Sequence, residues 1–124
     1  MQTTLTDLRV SYSDEGQGVP LLFVHGFPLS RRVWRKQIDA LKFSYRTIAP
    51  DLRGFGESDT PPSTNTMAQY AEDLHALLQR LETGPVILIG HSMGGYIAFA
   101  FLRRFPEMVR GLVLVGTRAG KDST

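Results

Sequence analysis

The residue most able to do chemistry in this 124-residue chain is Ser92. It lies in Gly90-His91-Ser92-Met93-Gly94-Gly95, after the apolar run Val86-Ile87-Leu88-Ile89 and before Ile97, Ala98, Phe101, Leu102 and Phe105 at helical spacing. A bare G-x-S-x-G pattern is common in loops. Between a buried strand and an amphipathic helix it reads as a nucleophile elbow, a turn tight enough to lift the Ser92 hydroxyl above a sheet. The turn should strain the backbone of Ser92, and side chains at positions 90 and 94 should collide with the neighbouring strand or the turn itself. The first amides of the following helix lack partners and carry the positive end of its dipole. The Met93 N–H is therefore expected where an oxyanion would form, which suits attack by a hydroxyl on an acyl carbon.

Acyl transfer needs a second donor to that oxygen. His25-Gly26-Phe27-Pro28 follows the other apolar run, Leu21-Leu22-Phe23-Val24. Here the Phe27 N–H could serve, with Gly26 allowing close backbone approach. The His25 side chain reads as a satisfied structural histidine at a strand end. A nucleophile also needs a base within hydrogen-bond reach. The three histidines are His25, His75 and His91, and none follows Ser92. His75 lies between Leu74 and Leu77 on a helix and reads as partly exposed. The His91 ring should point away from the neighbouring hydroxyl, which leaves His25 as the one histidine placed to approach Ser92. Asp51, Glu57 and Asp59 belong to a glycine-rich loop and read as turn-stabilising acceptors.

The elements that must hold these residues follow from periodicity. Leu8–Tyr12 alternates as a strand, with a short pairing segment before it. Leu21–Val24 and Val86–Ile89 are apolar on both faces, as in the middle of a parallel sheet. A helix is expected over Arg31–Leu41, a short strand over Tyr45–Ala49, and an ordered loop from Asp51 to Ser63. Thr66 with Gln69 forms a capping-box signal, opening a helix whose stripe is Met67, Tyr70, Ala71, Leu74, Leu77, Leu78 and Leu81. Gly84-Pro85 should end it. A helix over Met93–Phe105 and a last apolar strand, Leu112–Val115, precede a polar tail. Strands alternating with helices of this length indicate α/β architecture, three layers around a mostly parallel sheet of about six strands, in one domain over 1–124.

Composition narrows the function. The chain is 42% hydrophobic and 21% charged with a net charge of +2, ordinary for a globular domain. Arg31, Arg32, Arg35, Lys36, Arg103, Arg104 and Arg110 read as solvated helix faces, not a nucleic-acid surface. There is no cysteine, so disulfides, thiolate chemistry and Cys-type zinc sites are excluded. No metal or organic cofactor is implied. No Gly-rich phosphate-binding motif follows a strand. The polar start and the lack of a long apolar run lead us to expect a cytoplasmic protein without a membrane anchor.

The segments HGFPLS at 25–30, APDLRGFGESD at 49–59, GHSMGGY at 90–96 and RGLVLVGTRAG at 110–120 make the chain similar to the α/β-hydrolase superfamily. The likeness is to its esterase, enol-lactonase and haloperoxidase-like branch, and spans nearly the whole chain. Dehalogenases and epoxide hydrolases of that superfamily carry Asp at the nucleophile, so Ser92 implies an acyl-serine route on a small ester or acyl substrate. The resemblance also implies a truncated core holding the N-terminal half, with the base His and usual acid lying later. Asp122 falls where some relatives carry the acid. An apolar last strand left uncovered, Leu112, Val113, Leu114 and Val115, should recruit a second copy. The alternative is a catalytically silent half-domain that self-associates as a scaffold or small-ligand binder.

Overall fold

The computed structural model describes residues 1–5, 8–26, 30–56, 58 and 66–116. Phe27, Glu57, Asp59 and Asp122, singled out above, lie outside the described residues. The elements run β1 (Gln2–Leu5), β2 (Leu8–Glu15), β3 (Pro20–Val24), a 3-10 turn (Arg31–Trp34), α1 (Arg35–Leu41), β4 (Arg46–Pro50), α2 (Met67–Leu81), β5 (Val86–His91), α3 (Met93–Arg104), a second 3-10 turn (Pro106–Met108) and β6 (Val109–Val115). They form a six-stranded sheet in the order β1-β2-β4-β3-β5-β6. β1 and β2 are antiparallel additions, whereas β4, β3, β5 and β6 run parallel.

The doubly apolar strands occupy the middle, as their pattern requires. All five residues of β3 are buried. Leu22, Val24 and Leu88 face the larger core with Leu74, Leu77, Leu78, Ile97 and Phe101 of α2 and α3. Leu21, Phe23 and Ile89 face Trp34 and Ile38 from the segment holding α1. Helices thus cover both sides of the sheet. Burying each such side chain contributes about 1.5–3 kcal/mol, offsetting the entropy of ordering the chain.

Several local expectations shift. The helix over 31–41 divides into a 3-10 turn and a seven-residue α1. At α2 the Thr66 hydroxyl accepts from the Gln69 N–H at 3.0 Å, but the Gln69 side chain donates to Asp73 instead of closing the box. Asp73 is the better acceptor because it carries charge and also holds Arg53. Met67 is exposed, and α2 ends at Glu82, which takes a left-handed conformation (φ 53°) before Gly84 is reached.

β6 is an outer edge among the described residues. Its Val113 and Val115 remain 46% and 43% exposed, while Leu112 packs against the larger core. Among the described residues no helix is long and apolar enough to cross a membrane, and no three potential ligand side chains gather to hold a metal.

Candidate active site

The two central strands deliver the two sequence motifs to one point. β3 and β5 are neighbours, with Val24 opposite Gly90, so the residues that follow each strand emerge together at the carboxyl edge of the sheet. Ser92 sits between β5 and α3 with φ 56° and ψ −120°, a conformation that costs a non-glycine residue roughly 1–3 kcal/mol. Its carbonyl accepts the Gly95 N–H at 2.9 Å, and its own N–H reaches the Val115 carbonyl at 3.4 Å. The side chain is exposed.

The glycines explain how the turn can be so tight. A Cβ on Gly90 would lie 2.7 Å from the Gly94 carbonyl oxygen, and one on Gly94 only 2.1 Å from that of Val24. Both contacts are with backbone, which cannot step aside. Gly26 presses on the elbow from the other strand. A Cβ there would lie 2.9 Å from the Ser92 Cβ and 3.4 Å from the Met93 nitrogen. Gly26, Ser92 and the first amide of α3 therefore share one small region, with the positive end of a 12-residue helix directed at it.

The three histidines separate by environment. His25 is fully buried, and its ring bonds on both sides. The Leu52 N–H donates to Nε2 at 3.0 Å, which makes Nδ1 the protonated nitrogen that donates to the Gly26 carbonyl at 3.0 Å. Burial pushes its pKa down, opposed by the Gly26 bond and the charge of Asp51. With both nitrogens engaged, His25 is held as a neutral structural group, as its place at a strand end suggests. His91 ends β5 with its ring edge-on to Trp34, centroids 6.2 Å apart, and its Nδ1 has no hydrogen-bond partner among the described residues. His75 on α2 stacks on Phe105 at 3.9 Å, a contact its helical position alone did not suggest.

Sequence reasoning missed what holds the loop after β4. The buried Asp51 carboxylate accepts the Arg31 N–H at 2.7 Å and also takes its guanidinium. Arg31 is therefore not simply part of a solvated face. Arg35 and Arg104 do lie on solvent-facing surface, where they pair with Glu15 and Asp39 and with Glu72. Ser58 donates to the Asp51 carbonyl at 2.6 Å and accepts the Ser11 N–H at 2.9 Å. Twenty residues separate Arg31 from Asp51, and no local pattern marks the pair.

Comparison with known proteins agrees with this geometry. The family model described as alpha/beta hydrolase fold matches residues 19–123. Epoxide hydrolase 2 of Siraitia grosvenorii is 43% identical over 101 residues, which cover 79% of this chain and 32% of that protein. A putative non-heme chloroperoxidase of Synechocystis is 36% identical over 116 residues, or 92% of this chain and 42% of the relative. The solved structure of a thermophilic esterase from Thermogutta terrifontis superposes with a TM-score of 0.90 at 45% identity, covering 99% of this chain and 47% of its own. The chain spans a third to a half of the length of these relatives. With a central parallel sheet, a strained serine at the turn from β5 to α3, and a matching family model over most of its length, the chain belongs to the α/β-hydrolase family.

Proposed function

We propose that this chain supplies the nucleophile and oxyanion-binding half of a serine hydrolase for carboxylic esters or related acyl substrates. The observation that carries the reading is the strained backbone of Ser92 at the N-terminus of α3 with Gly26 against it. In this reading the Ser92 Oγ attacks the substrate carbonyl carbon. The carbonyl oxygen becomes an oxyanion bound by the Met93 amide and, from the sequence, by that of Phe27. Expulsion of the alcohol leaves an acyl-serine, which water hydrolyses. The base is proposed to come from outside these 124 residues, because His25 has both ring nitrogens engaged, His75 is stacked on Phe105 and the His91 ring packs edge-on against Trp34. The esterase similarity supports the ester class, and Ser92 at the elbow favours it over epoxide opening.

A fluorophosphonate probe tests the proposal. In a protein that carries this chain together with the proposed base, labelling of Ser92 that is abolished by Ser92→Ala supports it, and an unlabelled protein overturns it. Without a base, residual catalysis of roughly 10³–10⁴-fold over water is the most that an oxyanion site and binding sustain in a comparable serine enzyme.

The half-exposed Val113 and Val115 on the outer edge of β6 favour a second reading. In it the chain acts as a silent, self-associating scaffold through that edge. A stable dimer that remains inert to the probe would support it.

A further inference from the structure

We propose that a groove between β2 and the segment holding α1 binds a phosphate group, free or carried as a monoester. The groove has a volume of about 360 Å³ and is lined by Ser13, Arg31, Arg32, Arg35 and Ile38. That volume falls at the lower end of the range for small-molecule sites. No elbow residue lines it, so the site stands apart from the acyl-serine reading.

Local structure puts three cations and no anion on its walls. Side chains alternate along β2, so Val10 and Tyr12 enter the larger core while Ser11 and Ser13 share the opposite face. There the Ser11 hydroxyl accepts from Arg31 Nη1 at 2.8 Å. Arg31 and Arg35 stand four residues apart, on successive turns of the 3-10 turn and α1, and the fully buried Ile38 closes the floor. The carboxylates that pair with these arginines stay off the walls: Asp51 holds Arg31, and Glu15 and Asp39 hold Arg35.

Two of the three guanidiniums are fixed in advance. Arg35 donates from Nε to Asp39 at 3.1 Å and from its two terminal nitrogens to Glu15 at 2.9 and 3.0 Å. Arg31 is tied to Asp51 and Ser11. A ligand that meets side chains already ordered loses less entropy on binding. Arg32 differs from both. It is exposed, and among the described residues its guanidinium has no carboxylate partner and the Ser13 hydroxyl no hydrogen-bond partner. The groove therefore presents one uncompensated charge, two fixed guanidiniums and a rotatable hydroxyl. A tetrahedral phosphate can engage a planar fork and a hydroxyl through different oxygens, whereas the two oxygens of a carboxylate are taken up by the fork alone.

Calorimetric titration of inorganic phosphate, and separately of phenyl phosphate, into the protein that carries this chain tests the site, with ionic strength held constant by chloride. Saturable binding is expected, weakened about 5–10-fold by Arg32→Gln and about 2–5-fold by Ser13→Ala. Lys36→Gln, which removes an exposed cation outside the groove, should leave it unchanged. The tighter of the two probes identifies the source as free phosphate or a monoester. Absence of saturable binding overturns the proposal, as does an equal loss in Arg32→Gln and Lys36→Gln, which marks general surface charge. Acetate bound as tightly as phosphate overturns the ligand class. A ¹H–¹⁵N correlation spectrum of the wild-type protein gives a readout that needs no variant. Phosphate-induced shifts at residues 13 and 31–35 support the site, and shifts confined to residues 90–95 overturn it. None of these outcomes depends on labelling of Ser92, so either reading can fail without the other.

Discussion

Asp51 accepts both the backbone N–H and the guanidinium of Arg31, so one buried carboxylate at the end of β4 secures the start of the first 3-10 turn. The Asp51 side chain is 2% exposed and that of Arg31 17%. Removing Asp51 takes the carboxylate from a largely buried guanidinium that also donates to the Ser11 hydroxyl at 2.8 Å. Asp51→Ala is expected to cost about 3–5 kcal/mol, seen as a lower urea midpoint. Asp51→Asn, which retains an acceptor for the Arg31 N–H, should lose less. Equal midpoints for Asp51→Ala and wild type would show that the clamp carries no stability.

The elbow makes a sharper prediction when Gly94, at the start of α3, is set against Gly111 on β6. Gly94→Ala places a methyl group 2.1 Å from the Val24 carbonyl oxygen and should cost more than about 4 kcal/mol, or prevent folding. A Cβ on Gly111 meets only the Ile87 side chain at 3.8 Å. Gly111→Ala should therefore be neutral, or stabilising by about 0.5–1 kcal/mol. Thermal melts of the two variants decide the matter.

His25 predicts a pH dependence whose sign is fixed. Its folded pKa lies below the ordinary 6.5, chiefly through burial. The unfolded chain therefore binds the proton more readily, and stability is full above that value and declines as pH falls below it. The slope for this one group cannot exceed about 1.4 kcal/mol per pH unit. Urea midpoints between pH 7.5 and 5.5 should fall for wild type and fall less for His25→Gln. Glu15, whose carboxylate is held below its usual range mainly by the Arg35 hydrogen bond, adds its loss only at lower pH.

The outer edge of β6 is proposed to be adhesive. Val113 and Val115 are half-exposed on a strand with no outer neighbour among the described residues. This 13.8 kDa chain on its own should sediment as a dimer or larger species at micromolar concentration. Val113→Lys should shift it toward monomer without unfolding it. A wild-type monomer over that range would count against the idea.

What could be read from residues alone was what is local. The turn holding Ser92 is specified within six residues, because Gly90 and Gly94 must be small for reasons of backbone contact. The central strands were legible because β3 and β5 are apolar on both faces. The Arg31–Asp51 clamp was not, since its partners meet only after β4 aligns beside β3. The stripe ends at Leu81 as α2 does, but the residue that closes the helix is not legible for a related reason: Glu82 adopts a left-handed conformation that its residue type does not favour, ahead of the glycine that does. The paired nitrogens of His25 were foreseen only as a general satisfaction of a strand-end histidine. Its partner Leu52 arrives from a loop 27 residues away.

The bond from the Ser92 N–H to the Val115 carbonyl joins the strained turn to the final residue of the outermost strand. A strand added along that border is expected to bear on the same stretch of backbone that carries the nucleophile. Reactivity at the serine should therefore act as a gauge of how completely the sheet has been built.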